Sequence, residues 1–504
     1  MVTTNAGAAP VAKRDIAGGA ATVALSRLGA AIEVVSQPVY TWLFGIAGYG
    51  IYVVAWSVVN FAENILDLAF TSVLQRVVPR AKDEAQAHAF VKLALFISVV
   101  PATTVALAAS VLAGPLSGLL NAAPQDRPQL ALSIALFAWA LPLWTLIEVA
   151  TAAVRARHAF GPEVRLRIFW EQLLRLGLVG LAYLMGFGLP GLFAAHVASL
   201  AVTAGLSLRL IGRYYDLGLL WRAPLRRDEA HMLLGYGFAL LPGNVIRRAL
   251  GDLPPVLLNA MLPGASGATA AGLYGIARKL SGIPQIVRQT FTYVTAPLAA
   301  AQARHDVAAI QPLYAFATRL SATLVLPIGA AMMVLGDDML SLFAPGAQLA
   351  LPMLIVLLAA RTIEAMVGPA GPVLDILGHR RWLLINALSG LAAWLLLSVL
   401  LVRPYGGLGM ALAVSAGVLV PALLALVQLR IANRFDALSP RLAVGVLVGL
   451  AWAMLFAVVD VITSPLGHWP ALIVVALLLP PAIWTGLRLG LSRSDREAFG
   501  GSAR

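Results

Sequence analysis

The segment LYGIARKLSGIPQIVRQTFTYVTAP, Leu273 to Pro297, is long and apolar enough to cross a bilayer, yet it carries Arg278, Lys279 and Arg288. A charge at mid-bilayer costs from ~2.5 to more than 10 kcal/mol, so a cation set deep in a span faces protein or water rather than lipid. The segment therefore predicts a membrane helix that lines a polar space, and the rest of the chain has to supply the other walls.

The chain has 504 residues, of which 60% are hydrophobic and 12% charged, and its mean hydropathy is +0.85. Soluble domains hold about 45–50% apolar and 25% charged residues. These values define an all-α polytopic membrane protein. Fourteen helices of ~20 to 25 residues fill the length and leave no room for a large soluble domain. Cysteine is absent, which excludes disulfides, thiolate metal sites and Cys nucleophiles. Neither a GxxxxGK[ST] loop nor an HExxH pair occurs, so ATP hydrolysis, a resident metal and an organic cofactor are not expected.

The expected order is a cytoplasmic tail (1–15), six helices (16–211), a cytoplasmic linker (212–230), six more helices (231–429), two further helices (430–489) and a second cytoplasmic tail (490–504). Helix 2 is expected over Gly48 to Thr71, helix 7 over His231 to Leu262, and the opening segment is helix 8. A tight FGLPG turn at Phe187 to Gly191 joins helices 5 and 6. Lys and Arg fall on alternate connections, as the positive-inside rule requires; only Arg127 and Arg403 lie on the opposite side. Both termini are accordingly expected in the cytoplasm of a bacterial inner membrane, and the net charge of +13 needs no nucleic-acid partner.

The chain repeats weakly. AGYGIYVVAWSV begins at Ala47 and AGLYGIARKLSG at Ala271, each followed by a basic loop, PRAKDE or QARHD. Six helices separate them, so the repeat is parallel, with its axis along the membrane normal. Together with the six-plus-six-plus-two plan, these motifs resemble the polysaccharide (O-antigen type) flippases of the multidrug/oligosaccharidyl-lipid/polysaccharide (MOP) exporter superfamily, across essentially the whole chain. The resemblance implies two six-helix lobes around a central cavity that moves an undecaprenyl-pyrophosphate-linked oligosaccharide between leaflets. It further implies basic cavity residues on the pyrophosphate, the last two helices as a lipid-tail groove, and polysaccharide polymerase or chain-length proteins as partners beside membrane lipids.

On helix 8, Arg278, Gln285 and Gln289 share a face, with Lys279 and Arg288 flanking it. These donors suit a pyrophosphate, Arg as a planar fork and Lys as a mobile point charge. Helix 7 carries Asn244, Arg248 and Asp252 at i+4 steps, with Arg247 adjacent, between Pro242 and Pro254–Pro255, which predicts a break near mid-membrane. An Arg248–Asp252 pair would leave Arg247 the freer cation. Arg27 lies about 16 Å into helix 1 at 1.5 Å per residue. Asn60, Glu63, Asn64 and Asp67 form a polar stripe on helix 2; its carboxylates are either counter-ions or a site where Na+ or H+ is exchanged for substrate. Arg361 and Glu364 read as a local pair, Glu148 as a partner for the Arg155 to Arg167 group, His196 as a packing residue, and Arg175 and Arg319 as snorkelling. Other readings of the chain are a lipid II flippase, a multidrug exporter or, from another class, a membrane glycosyltransferase, for which the outer loops are short.

Overall fold

The computed structural model describes residues 13–157, 159, 161–224, 226–286, 308, 310–367, 369–437, 439–493 and 495, without the side chains of 13–31, 34, 164 and 380; among these residues it holds helices and no strand. The principal helices are α1 (Lys13–Leu66), α2 (Phe70–Val77), α3 (Glu84–Val111), α4 (Arg127–Phe137), α5 (Ala140–Ala156), α6 (Glu171–Leu184), α7 (Gly188–Tyr214), α8 (Arg227–Asp252), α9 (Pro254–Met261), α10 (Gly264–Ser281), α11 (Ile310–Val334), α12 (Leu351–Val367), α13 (Ala370–Ile376), α14 (Arg380–Asn433), α15 (Pro440–Thr463) and α16 (His468–Gly490).

Predicted helices 1 and 2 run on as α1 with a single break at Gly45 (φ 72°), and predicted helices 11 and 12 as α14 with a single break at Gly406 (φ 54°). Both breaks need a positive φ that glycine reaches without a Cβ clash. Among the described residues, nine helical stretches are long and apolar enough to cross a membrane, one of which, Arg381–Asn433, is twice the length of a single crossing. Predicted helices 5 and 7 are not among them, and predicted helices 1 and 8 lie partly outside the described residues. The α6 helix has only 14 residues, and α8 is diluted by its arginines and stops before Pro254.

The polar stripe on predicted helix 2 is shorter than its spacing implies. That helix was expected to reach Thr71, but α1 ends at Leu66, where Leu68 (φ 49°) and Ala69 (φ 58°) are both left-handed. The Asp67 carboxylate holds this turn by accepting hydrogen bonds from the Thr71 hydroxyl (3.0 Å) and backbone N–H (3.3 Å). Gly237 of α8 makes room for it, since a Cβ there would lie 2.7 Å from the Leu68 carbonyl oxygen.

The described chain divides into two compact units. One comprises residues up to Gln37, Ala62–Ser117 and Pro128–Pro242; the other comprises Pro38–Phe61, Gly118–Arg127 and Gly243 onward. The division falls within α1, at Gln37 and Phe61, at both ends of Gly118–Arg127, and within α8 at Pro242. In the first unit α3, α5 and α7 pack around Phe70, Phe90, Val149 and Ile211. In the second, α11 packs against α12, α15 and α16, and α12 against α14.

The second unit also contains a seam between the two repeated motifs. A Cβ on Gly50 would stand 1.9 Å from the Ala268 carbonyl oxygen, and one on Gly272 would stand 2.3 Å from that of Ile46. The contact is reciprocal: each glycine admits the backbone one turn before the other. Small residues permit this approach between membrane helices, where van der Waals packing drives association. A second tie, invisible in the sequence, joins Asn121 to Asn259. The Asn121 N–H donates to the Asn259 side-chain oxygen (3.0 Å), and each side-chain amide donates to the other's backbone carbonyl (2.8 and 2.7 Å).

Candidate functional site

The centre of the site is the junction of α8 and α9. Pro254 and Pro255 lack the N–H groups that would bond the carbonyls of Leu250 and Gly251, so α8 stops at Asp252 and resumes as α9. Asp252 is buried at this break. One of its oxygens accepts a hydrogen bond from Arg278 Nη2 at 3.3 Å, and the other lies 3.8 Å from Arg248 Nη1. The local Arg248–Asp252 pair read from the sequence is present, and Arg278, 26 positions away on α10, joins it. Arg247, exposed, donates to the Asn244 side-chain oxygen.

Beyond Ser281 the opening segment turns at Gly282, and Gln285 then reaches Glu364 of α12 (3.4 Å), which also takes a hydrogen bond from Arg361 (2.9 Å). The Arg361–Glu364 pair is therefore local, as its spacing indicates, but Gln285 connects it to the opening segment. Arg248, Arg278 and Arg361 outnumber the two carboxylates they pair with, Asp252 and Glu364, and Arg247 and Lys279 adjoin the first two in the chain. Arg288 and Gln289 lie outside the described residues. Arg27 lies on α1, where the backbone alone is described.

Members of the predicted stripe divide between the units: Asn60 belongs to the second, and Glu63, Asn64 and Asp67 to the first. Glu63 and Asp67 are buried, and the buried Asn64 side-chain oxygen accepts no hydrogen bond. Across α5, α6, α7 and the π-helical turn Val164–Trp170, the first unit also encloses an ionic network that sequence reasoning found only in part. Arg167 grips Glu148 with two nitrogens (2.5 and 3.2 Å), also bonds Glu163 (2.9 Å), and lies over the Trp144 ring at 4.7 Å. Arg155 pairs with Glu163 as well.

Two of the expected snorkelling residues do otherwise. Arg175 is buried, bonded to His196 (2.7 Å) and Gln172 and 3.9 Å from Glu171, because partners at that depth replace water better than a stretched stem would. Arg319 makes a two-pronged bond to Asp495 (3.0 and 3.0 Å). Burial raises the Asp495 pKa, but Arg319 and the Ser492 N–H and hydroxyl more than offset it, so this carboxyl sits below its ordinary range. Near the start of α3, Arg157 likewise bonds Glu84 with two nitrogens. No cluster of three or more His, Cys, Asp or Glu suited to a metal occurs among the described residues.

The fold is shared with solved membrane transporters. It matches the lipid II flippase MurJ in an inward closed conformation with a TM-score of 0.72 at 10% identity, covering 93% of this chain and 98% of that one. It matches a multidrug resistance MATE family transporter of the MOP superfamily, inward-facing, with a TM-score of 0.60 at 15% identity over 81% and 93% of the two chains. The MATE multidrug transporter DinF-BH also matches, with a TM-score of 0.60 at 16% identity over 83% and 96%. No curated protein matches by sequence. A family described as polysaccharide biosynthesis protein matches residues 41–345, more than half of the chain, and the chain belongs to that family. It is a multi-pass membrane protein. The match spans the glycine seam and the α8–α10 cluster and ends before α12.

Proposed function

We propose that the protein translocates an undecaprenyl-pyrophosphate-linked oligosaccharide, an O-antigen or exopolysaccharide repeat unit, from the cytoplasmic to the outer leaflet of a bacterial inner membrane by alternating access. The reading includes fourteen transmembrane helices with both termini in the cytoplasm. It rests above all on Asp252, a single buried carboxylate shared by Arg248 and Arg278 at the break of α8, with Arg247 and Lys279 beside it. Such a cluster is neutralised enough to fold and cationic enough to receive a pyrophosphate, which offers each guanidinium fork a pair of oxygens. Arg27, Arg288 and Gln289 complete the binding set, with Gln285 holding the opening segment to Glu364.

Direction comes from the membrane potential, which favours outward movement of negative charge by ~2.3 kcal/mol per charge per 100 mV, or from Na+ or H+ exchanged at Glu63 and Asp67, with Asn60 and Asn64 beside them. Family membership supports the polysaccharide assignment, and the MurJ-like fold supports a lipid-linked substrate. Replacing Arg278 by Ala is expected to abolish surface glycan while folded protein persists in the membrane, and Arg278→Lys to retain part of it. Normal glycan export by Arg278→Ala would remove that residue from the site. Depletion separates the rival transport reading, since arrest of wall synthesis and lysis mark a lipid II flippase.

A further inference from the structure

A second cationic feature lies wholly within the first unit. Between the π-helical turn Val164–Trp170 and the C-terminal end of α7 is a pocket of about 380 Å3, walled by Arg165, Trp170, Leu206, Arg209, Arg213 and Tyr214. All three arginines are exposed, and none forms an ion pair among the described residues. Glu163, the acid nearest Arg165 in the chain, is already taken by Arg155 and Arg167. On the wide π turn the two arginines therefore part company: Arg167 goes inward to Glu148, and Arg165 goes to the pocket.

The walls are ordered along the helix axes. Val202, Leu206, Arg209 and Arg213 fall on one exposed face of α7. Across the pocket from Leu206 and these arginines stands Trp170, and Leu173 follows it one helical turn on; both are exposed. Going toward the basic loops, one wall runs Leu173, Trp170, Arg165 and the other runs Val202, Leu206, Arg209, Arg213, Tyr214, so each is aliphatic first and cationic later. Trp and Tyr mark the headgroup level of a membrane protein. An aliphatic surface that gives way to arginines beside Trp170 and Tyr214 suits a phospholipid, whose acyl chain gives way to its phosphate at that level.

We propose that this pocket binds the phosphate of an anionic phospholipid through Arg165, Arg209 and Arg213, with an acyl chain lying along Val202, Leu206 and Leu173. Basic pockets between transmembrane helices suit such headgroups, and the guanidinium fork matches a phosphate in geometry as well as charge. A soluble phosphate would use the arginines but not the aliphatic stripe. The proposal does not depend on the transport reading, since none of its residues belongs to the α8–α10 cluster.

The test is lipid retention by the purified full-length protein in detergent, read by native mass spectrometry with phosphatidylglycerol, phosphatidylcholine, inorganic phosphate and polyprenyl pyrophosphate as probes. Wild type and the loop control R222Q/R226Q, which loses the same charge, are expected to retain phosphatidylglycerol over phosphatidylcholine. R209Q/R213Q is expected to bind it at least about tenfold more weakly, the loss of one charge-assisted hydrogen bond or more. Should that variant fail to fold, Arg165→Gln on the other wall gives the same reading. Unchanged retention by the folded pocket variant, equal retention of phosphatidylcholine, displacement by inorganic phosphate, or preference for polyprenyl pyrophosphate would each overturn the proposal; the last would assign the pocket to the transported molecule.

Discussion

Two clusters, the Arg167–Arg175 network of the first unit and the Asp252 cluster of the second, treat the same residue types in opposite ways. In the first, Arg167 is only 16% exposed and bonds two carboxylates, and Arg175 is buried against Glu171 and His196. In the second, Arg248 and Arg278 remain 49% and 33% exposed and share one carboxylate. A buried charge whose partners surround it holds helices together and has nothing left to offer a ligand. A half-exposed charge with a fraction of a partner contributes little to stability and keeps donors available. Counting arginines therefore does not locate a binding site, and asking which of them lack a full complement of acid does.

The contrast can be broken most sharply at Arg167. Arg167→Met leaves the largely buried Glu148 without its partner and Glu163 with Arg155 alone, a loss of about 3 kcal/mol or more; it should lower folded yield and unfolding temperature in detergent. Retention of wild-type stability would show the network to be dispensable. Next in size is the glycine seam of the second unit. Gly50→Ala places a methyl group against the Ala268 carbonyl, which no rotamer relieves, and should cost roughly 1–3 kcal/mol in the same unfolding measurement.

Arg278→Ala leaves the buried Asp252 with Arg248 and should then cost less, roughly 1–2 kcal/mol, while export of glycan fails. A stability loss as large as that of Arg167→Met would erase the distinction between the clusters. The smallest effect is expected at Asp495. Its folded pKa lies below the unfolded value, so its contribution is present above the usual carboxylate pKa near 3.8 and is lost as pH falls through the depressed folded value. Unfolding curves of wild type and Asp495→Asn should therefore differ at neutral pH and converge below about pH 4; a constant difference would show that its charge is not what matters.

What the sequence made legible was local. Arg248–Asp252 and Arg361–Glu364 are one helical turn apart, and spacing alone brings them together. The break at Pro254 follows from missing N–H groups, and the membrane class from composition. Arg278–Asp252, Arg175–His196, Arg319–Asp495 and Asn121–Asn259 join positions 21 to 176 residues apart, and no periodicity announces them. The Asn60 to Asp67 stripe misled for the converse reason: its spacing is helical, but two left-handed residues after Leu66 end the helix before Asp67. The repeated AGYG and AGLYG motifs were legible as a repeat, yet their glycines serve an interhelical contact that only coordinates reveal.

That contact has a consequence for biosynthesis. The segment Pro38–Phe61 belongs to the second unit, but its seam partner α10 begins only at Gly264, some 200 residues later. At ~5–20 residues per second, the ribosome needs roughly 10 to 40 seconds to deliver it. For that interval Gly50 lacks its seam partner, while the first unit, whose last residue is Pro242, has all its own residues before α10 is made. The seam is thus completed late, and a defect at Gly50 or Gly272 should show itself as a stalled nascent intermediate that protease can still cut, even where the finished protein survives.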